Sequence, residues 1–518
     1  MPIGDHAVEG EAFPIRLAAI DIGSNAIRLV AAQFTSPTSL QQLEQLRLPV
    51  RLGHDVFLTG RLTDDAMNAA IDGLSLFSRR MQELDITKYR AVATSAVRDS
   101  RNGVDFVLRA RDEAGIAINV ITGAEEARLV HLAVRNRIRL GRQKWLIADL
   151  GGGSVEVSVV DDHGIHRTES YEMGSVRLLE ELAVAGEEPG RFRRRLEEYT
   201  ATLRNSRILH AKVAGFIATG GNIEALARLA DAKPDNTGVS SIRVDELRAI
   251  IERLASLSYA ERVAQLNLRE DRADVILPAA MVYERLAVLA AVDTVLVPAV
   301  GVKDGLLWDL LEQNTAVGRG RTTRERAVFA AALTLGRRFH FDEAHARQVA
   351  KLAASIFDQT HAMHALKRDD RRILIAAALL HDLGTFIGYK RHHKHSLYII
   401  SESELPGLTA TETLMVANVA RYHRKNTPSA HHTAFTRLDE KNRERVIRLS
   451  AILRLADALD REHLQRVESI SCNVKKDALE LNVTGRGDLL LERWALQQKA
   501  QFFEKTFNLG VRLQTIGP

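Results

Sequence analysis

The chain has 518 residues, of which 46% are hydrophobic and 26% are charged, a composition that excludes disorder for most of its length. Its 71 basic and 66 acidic residues leave a net charge of +5, which favours an anionic partner without identifying one. The single cysteine, Cys472, excludes an internal disulfide and a cysteine-based zinc site.

We expect neither a secretory leader nor a membrane span. The opening residues lack the basic and apolar segments of a secretory signal. The most apolar stretch, residues 286–302, is interrupted by Asp293 and Pro298. The sequence therefore predicts a cytoplasmic protein of three to four domains, at roughly 150 residues per domain.

Strand-like and helix-like segments alternate over the first 314 residues. Apolar runs at 17–34, 91–93, 118–122, 145–150, 155–161 and 215–219 predict strands, and helical periodicity is found at 64–84, 102–114 and after 123. The runs WLIADL and VEVSVVD are interpreted as a hairpin. Strands that end at Asp21, Asp149 and Ala218 each lead into a glycine-rich turn. This pattern is typical of two similar halves that supply phosphate-binding loops across a cleft.

The composition changes after residue 314. The basic segment TAVGRGRTTRER is interpreted as a linker. Helical periodicity then continues to about residue 464, and strands at 470–474 and 478–483 precede a helix at 489–507. We predict two α/β domains at 15–135 and 136–314, an all-α domain at 315–465 and a small α+β domain at 466–518.

The segment ADLGGGSVEV carries the strongest functional signal. Its strand delivers Asp149, and Gly151, Gly152, Gly153 and Ser154 form a turn whose backbone can approach an anion. The carboxylate of Asp149 could hold Mg²⁺, which prefers hard oxygen ligands. The alternative is a structural glycine hairpin that Asp149 only caps.

Two further turns repeat this arrangement. In DIGSN, a carboxylate at a strand end precedes side chains that can donate to phosphate oxygens, although many hairpins contain Gly and Asn. In TGGN, a glycine turn precedes a helix and could bind an anion, although such a turn is more often structural. The candidate residues of these turns are Asp21, Ser24, Asn25, Gly220, Gly221 and Asn222.

Two helical motifs offer side chains for the chemistry. In TGAEEARL, Glu125 and Glu126 could stabilise the helix dipole, or one of them could accept a proton from an attacking water. Spacing alone does not say which. In ATSAVRDSRN, the spacing of Thr94, Arg98 and Asn102 predicts one helical face, on which Arg98 could bind phosphate or remain solvated.

The ordered set of motifs resembles the exopolyphosphatase / guanosine pentaphosphate phosphohydrolase family. DIGSN, ATSAVRDSRN, TGAEEAR, DLGGGS, MGSVR, ATGGN, RADVILPAAMVYE and VKDGLLWDLL occur in that order between residues 15 and 311. The resemblance implies a duplicated ribonuclease-H-like α/β fold of the actin and sugar-kinase type, with the active site between its halves. It also implies magnesium-dependent, processive removal of terminal orthophosphate from polyphosphate, and it favours a homodimer.

The resemblance also implies roles for single residues. Glu126 matches the general base that activates water, and Asp149 matches the aspartate that binds metal and orients phosphate. The closing motif, residues 302–305, differs from the Ser- or Arg-containing versions common in the family, which leaves local substrate contacts open. The positions that match the phosphate channel and its loop are Asp21, Ser24, Asn25, Thr94, Arg98, Gly151, Gly220 and Asn222.

The helical half contains a second candidate metal site. Imidazoles and carboxylates from separate helices can bind one divalent cation or a pair. The order His, His-Asp, Asp resembles the HD phosphohydrolase superfamily, in which the residues that match His345, His381, Asp382 and Asp457 are metal ligands. The alternative is a scaffold that extends a basic channel and forms a dimer. Further histidines lie between these motifs: His392, His393, His395 and His423.

The leading hypothesis is therefore a hydrolase of phosphoanhydride bonds, an exopolyphosphatase in which Glu126 activates water beside Mg²⁺ at Asp149. One alternative is hydrolysis of guanosine pentaphosphate (pppGpp) at the same cleft. Others are metal-dependent nucleotide phosphohydrolysis at the HD-like domain and a non-catalytic sensor of polyphosphate or alarmone. The basic run 390–395 favours polyanion contact or a solvated turn. We expect no specific nucleic-acid binding, because no recognisable module is present and aromatics for stacking are few.

Overall fold

The computed structural model describes residues 13–183, 189–205, 208–315 and 323–515. The chain divides into two compact units, Met1–Arg324 (unit 1) and Glu325–Pro518 (unit 2). The first twelve residues and residues 316–322 of the predicted linker lie outside the described residues. In the described ranges, no helix combines the length and the apolar character that a membrane crossing requires.

Unit 1 alternates strands and helices, as its sequence predicts. Its strands are β1 (Ile15–Ile22), β2 (Ile27–Ser36), β3 (Ser39–Leu48), β4 (Tyr89–Ala93), β5 (Ile118–Val120), β6 (Trp145–Leu150), β7 (Val155–Asp161), β8 (Gly164–Tyr171), β9 (Phe216–Thr219), β10 (Ser240–Arg243) and β11 (Thr294–Val297). Its α-helices are α1 (Gly53–Thr59), α2 (Asp64–Glu83), α3 (Ser95–Asp99), α4 (Gly103–Ala114), α5 (Gly123–Arg135), α6 (Ser175–Leu182), α7 (Pro189–Ala201), α8 (Gly221–Leu229), α9 (Val244–Ser256), α10 (Tyr259–Leu266), α11 (Glu270–Ala273), α12 (Ile276–Leu289) and α13 (Val302–Asn314). Short 3₁₀ helices span Thr202–Asn205 and Ile208–His210.

Two sheets of the same topology form unit 1. In the first, the strand order is β3-β2-β1-β4-β5, with β1, β2 and β3 antiparallel and β4 and β5 parallel to β1. In the second, β8-β7-β6-β9-β11 repeats this order and these directions, and β10 adds an antiparallel edge. The repeat confirms the duplicated α/β fold of the actin and sugar-kinase type.

Burial explains which strands could be predicted. The central strands β1, β6 and β7 are buried along almost their whole length, so they appear in the sequence as apolar runs. The edge strands β3, β8 and β10 carry polar, partly exposed side chains and were missed, as was the short strand β11. Their pairing depends on the neighbouring strand rather than on an apolar pattern of their own.

The last helix of unit 1, α13, packs against β1 and α5 of the first half. A Cβ atom on Gly305 would lie 2.0 Å from the carbonyl oxygen of Leu129, so only glycine permits this approach. Leu306 lies in the same buried cluster as Leu17 and Leu129. The predicted boundary between residues 135 and 136 assigns α5 and α13 to different domains. In the structure these two helices share one core.

Unit 2 is helical up to its last fifty residues or so, as predicted. Its α-helices are α14 (Thr323–Arg338), α15 (Glu343–Gln359), α16 (His361–His364), α17 (Arg368–Leu380), α18 (His392–Ser401), α19 (Ala410–Arg421), α20 (Thr433–Thr436), α21 (Glu440–Ala458) and α22 (Leu490–Phe507), and a 3₁₀ helix spans Leu383–Phe386. Its strands are β12 (Val467–Val474), β13 (Ala478–Gly485) and β14 (Gly510–Thr515).

The terminal sheet of unit 2 shares one core with the helices. β12 and β13 are antiparallel and β14 is parallel to β13. Leu481 of β13 and Phe503 of α22 belong to the same buried cluster as Val349 of α15 and Ile452 of α21. This core is continuous across the proposed boundary of the α+β domain at 466–518. The separate domain stays a prediction.

Candidate active site and a histidine–aspartate cluster

A cleft of about 800 Å³ lies between the two halves of unit 1, where β1, β4, β6 and β9 end. Its walls come from both halves, so residues far apart in sequence meet there. The predicted residues that line it are Asp21, Ser24, Asn25, Thr94, Glu126, Asp149, Gly151, Gly152, Gly220, Gly221 and Asn222.

Three buried carboxylates meet beside this cleft. Oxygen atoms of Glu126, Asp149 and Glu156 all lie within 4.8 Å of one another. Burial raises the pKa of Asp149 to about 6 and that of Glu156 to about 7. Burial and the negative charge of Glu156 raise the pKa of Glu126 well above its ordinary value. Burial is the main cause of all three shifts, and the negative charge of the neighbouring carboxylates adds to those of Glu126 and Glu156.

The carboxylates fit a magnesium ion. One oxygen of Glu126 and one of Glu156 are buried without a hydrogen-bond partner among the described residues. Mg²⁺ takes hard oxygen ligands, and its charge would relieve the repulsion. Asp149 keeps one hydrogen bond, from the Thr219 hydroxyl at 2.6 Å, which orients its carboxylate.

Glu156 was missed as a site residue by the sequence analysis. It pairs directly with Asp149 in the antiparallel hairpin of β6 and β7, so both side chains point to one face. A signal was present in the sequence, because Glu156 is an acid inside a strand that is otherwise apolar or hydroxylic until its last residue.

The neighbouring acids at the start of α5 have different surroundings. Glu125 accepts from Arg128 at 2.7 Å and from Arg90 at 3.0 Å, and Arg128 also reaches Asp309 at 2.8 Å. These ion pairs are buried, whereas Glu126 lines the cleft. Of the two acids, Glu126 is therefore the one that lines the cleft, and its role as the base stays a prediction.

The glycine turn after β6 packs against the first half of unit 1. A Cβ atom on Gly153 would lie 2.4 Å from the Ser95 hydroxyl, and one on Gly152 would lie 2.8 Å from Cβ of Ser24. Gly151 and Gly152 line the cleft, whereas Ser154 is buried and hydrogen-bonds Glu156. The substrate-binding roles of Gly153 and Ser154 stay predictions.

The TGGN turn also depends on its glycines. Gly220 has φ +101°, and a Cβ atom there would lie 2.7 Å from the carbonyl oxygen of Leu150. A Cβ atom on Gly221 would meet the guanidinium of Arg272 at 2.6 Å. The turn therefore brings backbone close to the end of β6, where Asp149 lies.

Several residues that are predicted to bind phosphate make hydrogen bonds to other residues of the protein. These hydrogen bonds link the two halves of unit 1 or hold neighbouring segments of one half together. The side chains therefore stabilise the fold in addition to any contact with a ligand. Asp21 accepts from Arg28 at 3.1 Å, Ser24 shares a hydrogen bond with Ser95 at 3.0 Å, Asn25 donates to the Asp271 carbonyl at 3.0 Å and Asn222 donates to Ser175 at 3.0 Å.

One expectation about ATSAVRDSRN is wrong. Thr94, Arg98 and Asn102 do not share one helical face, because α3 ends at Asp99. Asn102 instead exchanges two hydrogen bonds of 2.9 Å with the backbone of Leu62. Arg98 remains near the chemistry, with its Nη1 3.9 Å from Oε2 of Glu126. The prediction treated Asn102, a polar residue beyond the end of α3, as part of this short helix.

Basic side chains without a predicted role also line the cleft. Arg272 is 5% exposed and donates to Asn222, and burial together with the nearby charge of Arg28 lowers its pKa to about 10. Arg272 begins the motif RADVILPAAMVYE, so the signal was present. The basic lining residues are Arg28, Arg47, Arg228, Arg269, Arg272 and Lys303.

The predicted second site is a compact cluster in unit 2. Nε2 of His345 lies 3.2 Å from Nε2 of His381, and Oδ1 of Asp457 lies 3.8 Å from both. Oδ1 of Asp382 lies 3.7 Å from Nε2 of His381. Burial lowers the pKa of His381, which favours the neutral imidazole that a metal requires.

Family comparison identifies the class of protein. The model of the Ppx/GppA phosphatase family matches residues 30–314, and a model described as Ppx/GppA phosphatase, domain III, matches residues 324–501. The chain belongs to the Ppx/GppA phosphatase family. It is therefore a hydrolase of the phosphatase type. The resemblance of unit 2 to the HD superfamily stays a prediction.

Solved structures with this fold cover more than half of the chain. A Ppx/GppA family member from Aquifex aeolicus is 25% identical with a TM-score of 0.51, and the match covers 58% of this chain and 99% of that one. An exopolyphosphatase from Cytophaga hutchinsonii is 24% identical with a TM-score of 0.53 over 58% of this chain and 98% of that one. A protein described as exopolyphosphatase-like is 25% identical with a TM-score of 0.50 over 57% and 97%.

Proposed function

We propose that this Ppx/GppA phosphatase is an exopolyphosphatase that removes terminal orthophosphate from polyphosphate in the cleft of unit 1. The observation that carries the proposal is the cluster of Glu126, Asp149 and Glu156 beside a glycine turn and basic side chains. The exopolyphosphatase-like protein at 25% identity also supports this substrate.

The acidic cluster provides the metal ligands and the base. Asp149 and Glu156 would hold Mg²⁺, which when bound neutralises charge on the phosphoryl oxygens. Glu126 accepts a proton from water, and the water oxygen attacks the terminal phosphorus. The bond from that phosphorus to the bridging oxygen breaks, which leaves orthophosphate and a chain shorter by one phosphate. A base with a raised pKa is suited to this proton transfer near neutral pH.

The basic residues of the cleft would bind the rest of the chain. Arg98 lies close enough to Glu126 to contact the reacting phosphoryl group. Arg272 and Lys303 lie in the same cleft and present positive charge to further phosphates. Arginine forks suit phosphate oxygens because they donate two parallel hydrogen bonds.

Hydrolysis of pppGpp is the close rival, because it breaks the same type of bond and the cleft volume is within the range of small-molecule sites. Orthophosphate release from polyphosphate and from pppGpp, each with Mg²⁺, separates the two. A higher kcat/KM for polyphosphate supports the proposal, and release from pppGpp alone supports the rival. Tight binding of either compound without release would support a sensor instead.

A second candidate function belongs to unit 2. The cluster of His345, His381, Asp382 and Asp457 supports a bound divalent cation and metal-dependent phosphohydrolysis of a nucleotide there. Such activity survives Glu126→Gln and is lost in His381→Ala. The homodimer and the cytoplasmic location remain predictions.

A further inference from the structure

A row of charged side chains crosses the first sheet of unit 1 beside the cleft. Asp21 of β1 pairs with Arg28 of β2, and Arg28 pairs with Arg47 of β3. Directly paired residues point to the same face of a sheet. Because neighbouring strands are about 4.8 Å apart, the row places Arg47 about 10 Å from Asp21.

The carboxylate of Asp271, from α11 in the second half of unit 1, meets this row. Its Oδ2 accepts hydrogen bonds from Nη2 of Arg47 and, at 3.2 Å, from Nδ2 of Asn25. Nε of Arg269 lies 3.7 Å from its Oδ1. Asn25, Arg47 and Arg269 all line the cleft. Donors from both halves therefore hold one anionic group at the edge of the cleft, as they would hold a phosphate.

Positive charge exceeds negative charge around Asp271. Burial lowers the pKa of Arg272, and the charges of three other guanidinium groups lower it further. Among the described residues, these four groups form ion pairs only with Asp21 and Asp271. The excess positive charge attracts polyanions to this part of the cleft. The four guanidinium groups are those of Arg28, Arg47, Arg269 and Arg272.

Asp271 uses only one side of the guanidinium group of Arg47. Nη2 donates to the carboxylate, whereas Nε of Arg47 is buried without a hydrogen-bond partner among the described residues. A phosphate group offers two or more free oxygens and can accept from Nε and Nη2 in parallel. A bound phosphate would therefore satisfy Arg47 more fully than Asp271 does.

A second ion pair holds α11 in place independently of Arg47. Oδ2 of Asp274, directly after α11, accepts from Nη2 of Arg51 at 2.6 Å. The backbone carbonyl of Asp271 also accepts from Asn25 at 3.0 Å. The carboxylate of Asp271 can therefore leave Arg47 by rotation of its own side chain, while α11 stays attached to the first half.

We propose that Asp271 is a built-in competitor for the substrate, because its carboxylate occupies the position at Arg47 that a phosphate of the bound chain takes. The exchange breaks no covalent bond, since Arg47 gives up one anion and accepts another. The inference rests on the proposed function for the identity of this anion. It concerns a phosphate remote from the one that is hydrolysed, because Arg47 and Asp21 lie on β3 and β1, two strands apart.

Removal of the carboxylate tests the competition. Polyphosphate of defined length is titrated into the full chain by calorimetry, in chelator to withhold Mg²⁺ and prevent turnover. Asp271→Asn should bind it about tenfold more tightly. In orthophosphate release with Mg²⁺, KM should fall to a similar extent at an unchanged kcat, because the substitution acts on binding alone.

Two neighbouring acids supply matched controls. Glu270→Gln removes the same charge from an exposed position beside Asp271, and Asp274→Asn removes the other ion pair of α11 with the first half. Each should change the affinity by less than about threefold. A gain in Glu270→Gln equal to that in Asp271→Asn is general charge repulsion and overturns the proposal. An equal gain in Asp274→Asn is a looser contact between the halves and overturns it as well.

The gain should depend on Arg47. Arg47→Gln should weaken polyphosphate binding by about tenfold or more, and the addition of Asp271→Asn to this variant should give no gain. A gain that persists without Arg47 overturns the exchange. Polyphosphate should also raise the melting temperature of Asp271→Asn more than that of the unaltered chain, which verifies that the variant is folded.

The outcomes distinguish this inference from the proposed function. Tighter binding in Asp271→Asn, without orthophosphate release by the unaltered chain, supports the competitor and overturns the exopolyphosphatase. Release of orthophosphate together with equal affinities in the two chains overturns the competitor alone. Polyphosphate that is neither bound nor hydrolysed overturns both.

Discussion

Asp149 and Glu156 are direct partners across the hairpin of β6 and β7. The glycine turn joins these two strands, so one short segment supplies both the backbone of the loop and two carboxylates on the same face. Glu126, from α5 in the other half, completes the group. The chemistry proposed for the cleft therefore depends on how the two halves of unit 1 are held together.

The buried ion pairs of Arg128 with Glu125 and Asp309 should contribute to the stability of the fold rather than to catalysis. Arg128→Met leaves the charges of Glu125 and Asp309 partly unpaired in a buried place, and we expect a loss of about 3–5 kcal/mol in the free energy of unfolding. Chemical denaturation measures it. Glu126→Gln, which removes a repelled carboxylate, should leave that free energy unchanged or raise it. A smaller loss in Arg128→Met than in Glu126→Gln would contradict this division.

Removal of one proposed magnesium ligand should change the requirement for magnesium. In Glu156→Gln we expect half-maximal activity at a Mg²⁺ concentration about 10–100-fold higher, because the ion loses one of its carboxylates. Titration of orthophosphate release with Mg²⁺ measures it. The matched variant Glu113→Gln, on an exposed part of α4, should keep the original requirement. An unaltered Mg²⁺ dependence in Glu156→Gln would argue against this residue as a ligand.

The raised pKa values of Asp149 and Glu156 predict how stability depends on pH. Both groups bind protons more tightly in the folded chain than in the unfolded chain, so the unfolding free energy falls as pH rises from about 4 to about 7. We expect the unfolding free energy to fall in this way when a chelator is present. Added Mg²⁺ should restore it at pH 8.

Thermal unfolding across this pH range, with chelator or with Mg²⁺, measures the effect. The double variant Asp149→Asn, Glu156→Gln should flatten the profile in chelator. A melting temperature of the unaltered chain that rises with pH in chelator would contradict the raised pKa values of Asp149 and Glu156.

The glycine turn should be intolerant of a side chain at Gly153. In Gly153→Ala the new methyl group meets Ser95 and Phe57 at 2.4 Å, and we expect a cost of about 1–3 kcal/mol together with lower activity. Gly190→Ala is the control, because nothing lies within 4 Å of the Cβ position there. Equal melting temperatures and equal rates of orthophosphate release in Gly153→Ala and Gly190→Ala would contradict this expectation.

Much of the fold could be predicted from the sequence because its central strands are apolar. β1, β6 and β9 end in glycine turns, and these turns meet at the cleft as the duplicated pattern indicates. The polar edge strands β3 and β8 could not be predicted in this way, since neighbouring strands rather than their own pattern hold them in the sheet.

The site was predicted less completely than the fold. Motif order led to Glu126 and Asp149, and the structure separates Glu126 from the ion-paired Glu125. Glu156 and Arg272 were missed because their proximity to the cleft depends on strand register and on a distant helix. The pairing of Lys499 with Asp457 has no sequence signal at all, since α22 approaches α21 only through tertiary packing.

The most direct test of the central claim is orthophosphate release from long-chain polyphosphate with Mg²⁺, compared between the unaltered chain, Glu126→Gln and the control Glu113→Gln. We predict rapid release by the unaltered chain and the control, and a loss of about 10²–10⁴-fold in kcat for Glu126→Gln at an unchanged melting temperature or a higher one. Release by Glu126→Gln at the rate of the unaltered chain would contradict the claim that this carboxylate activates water.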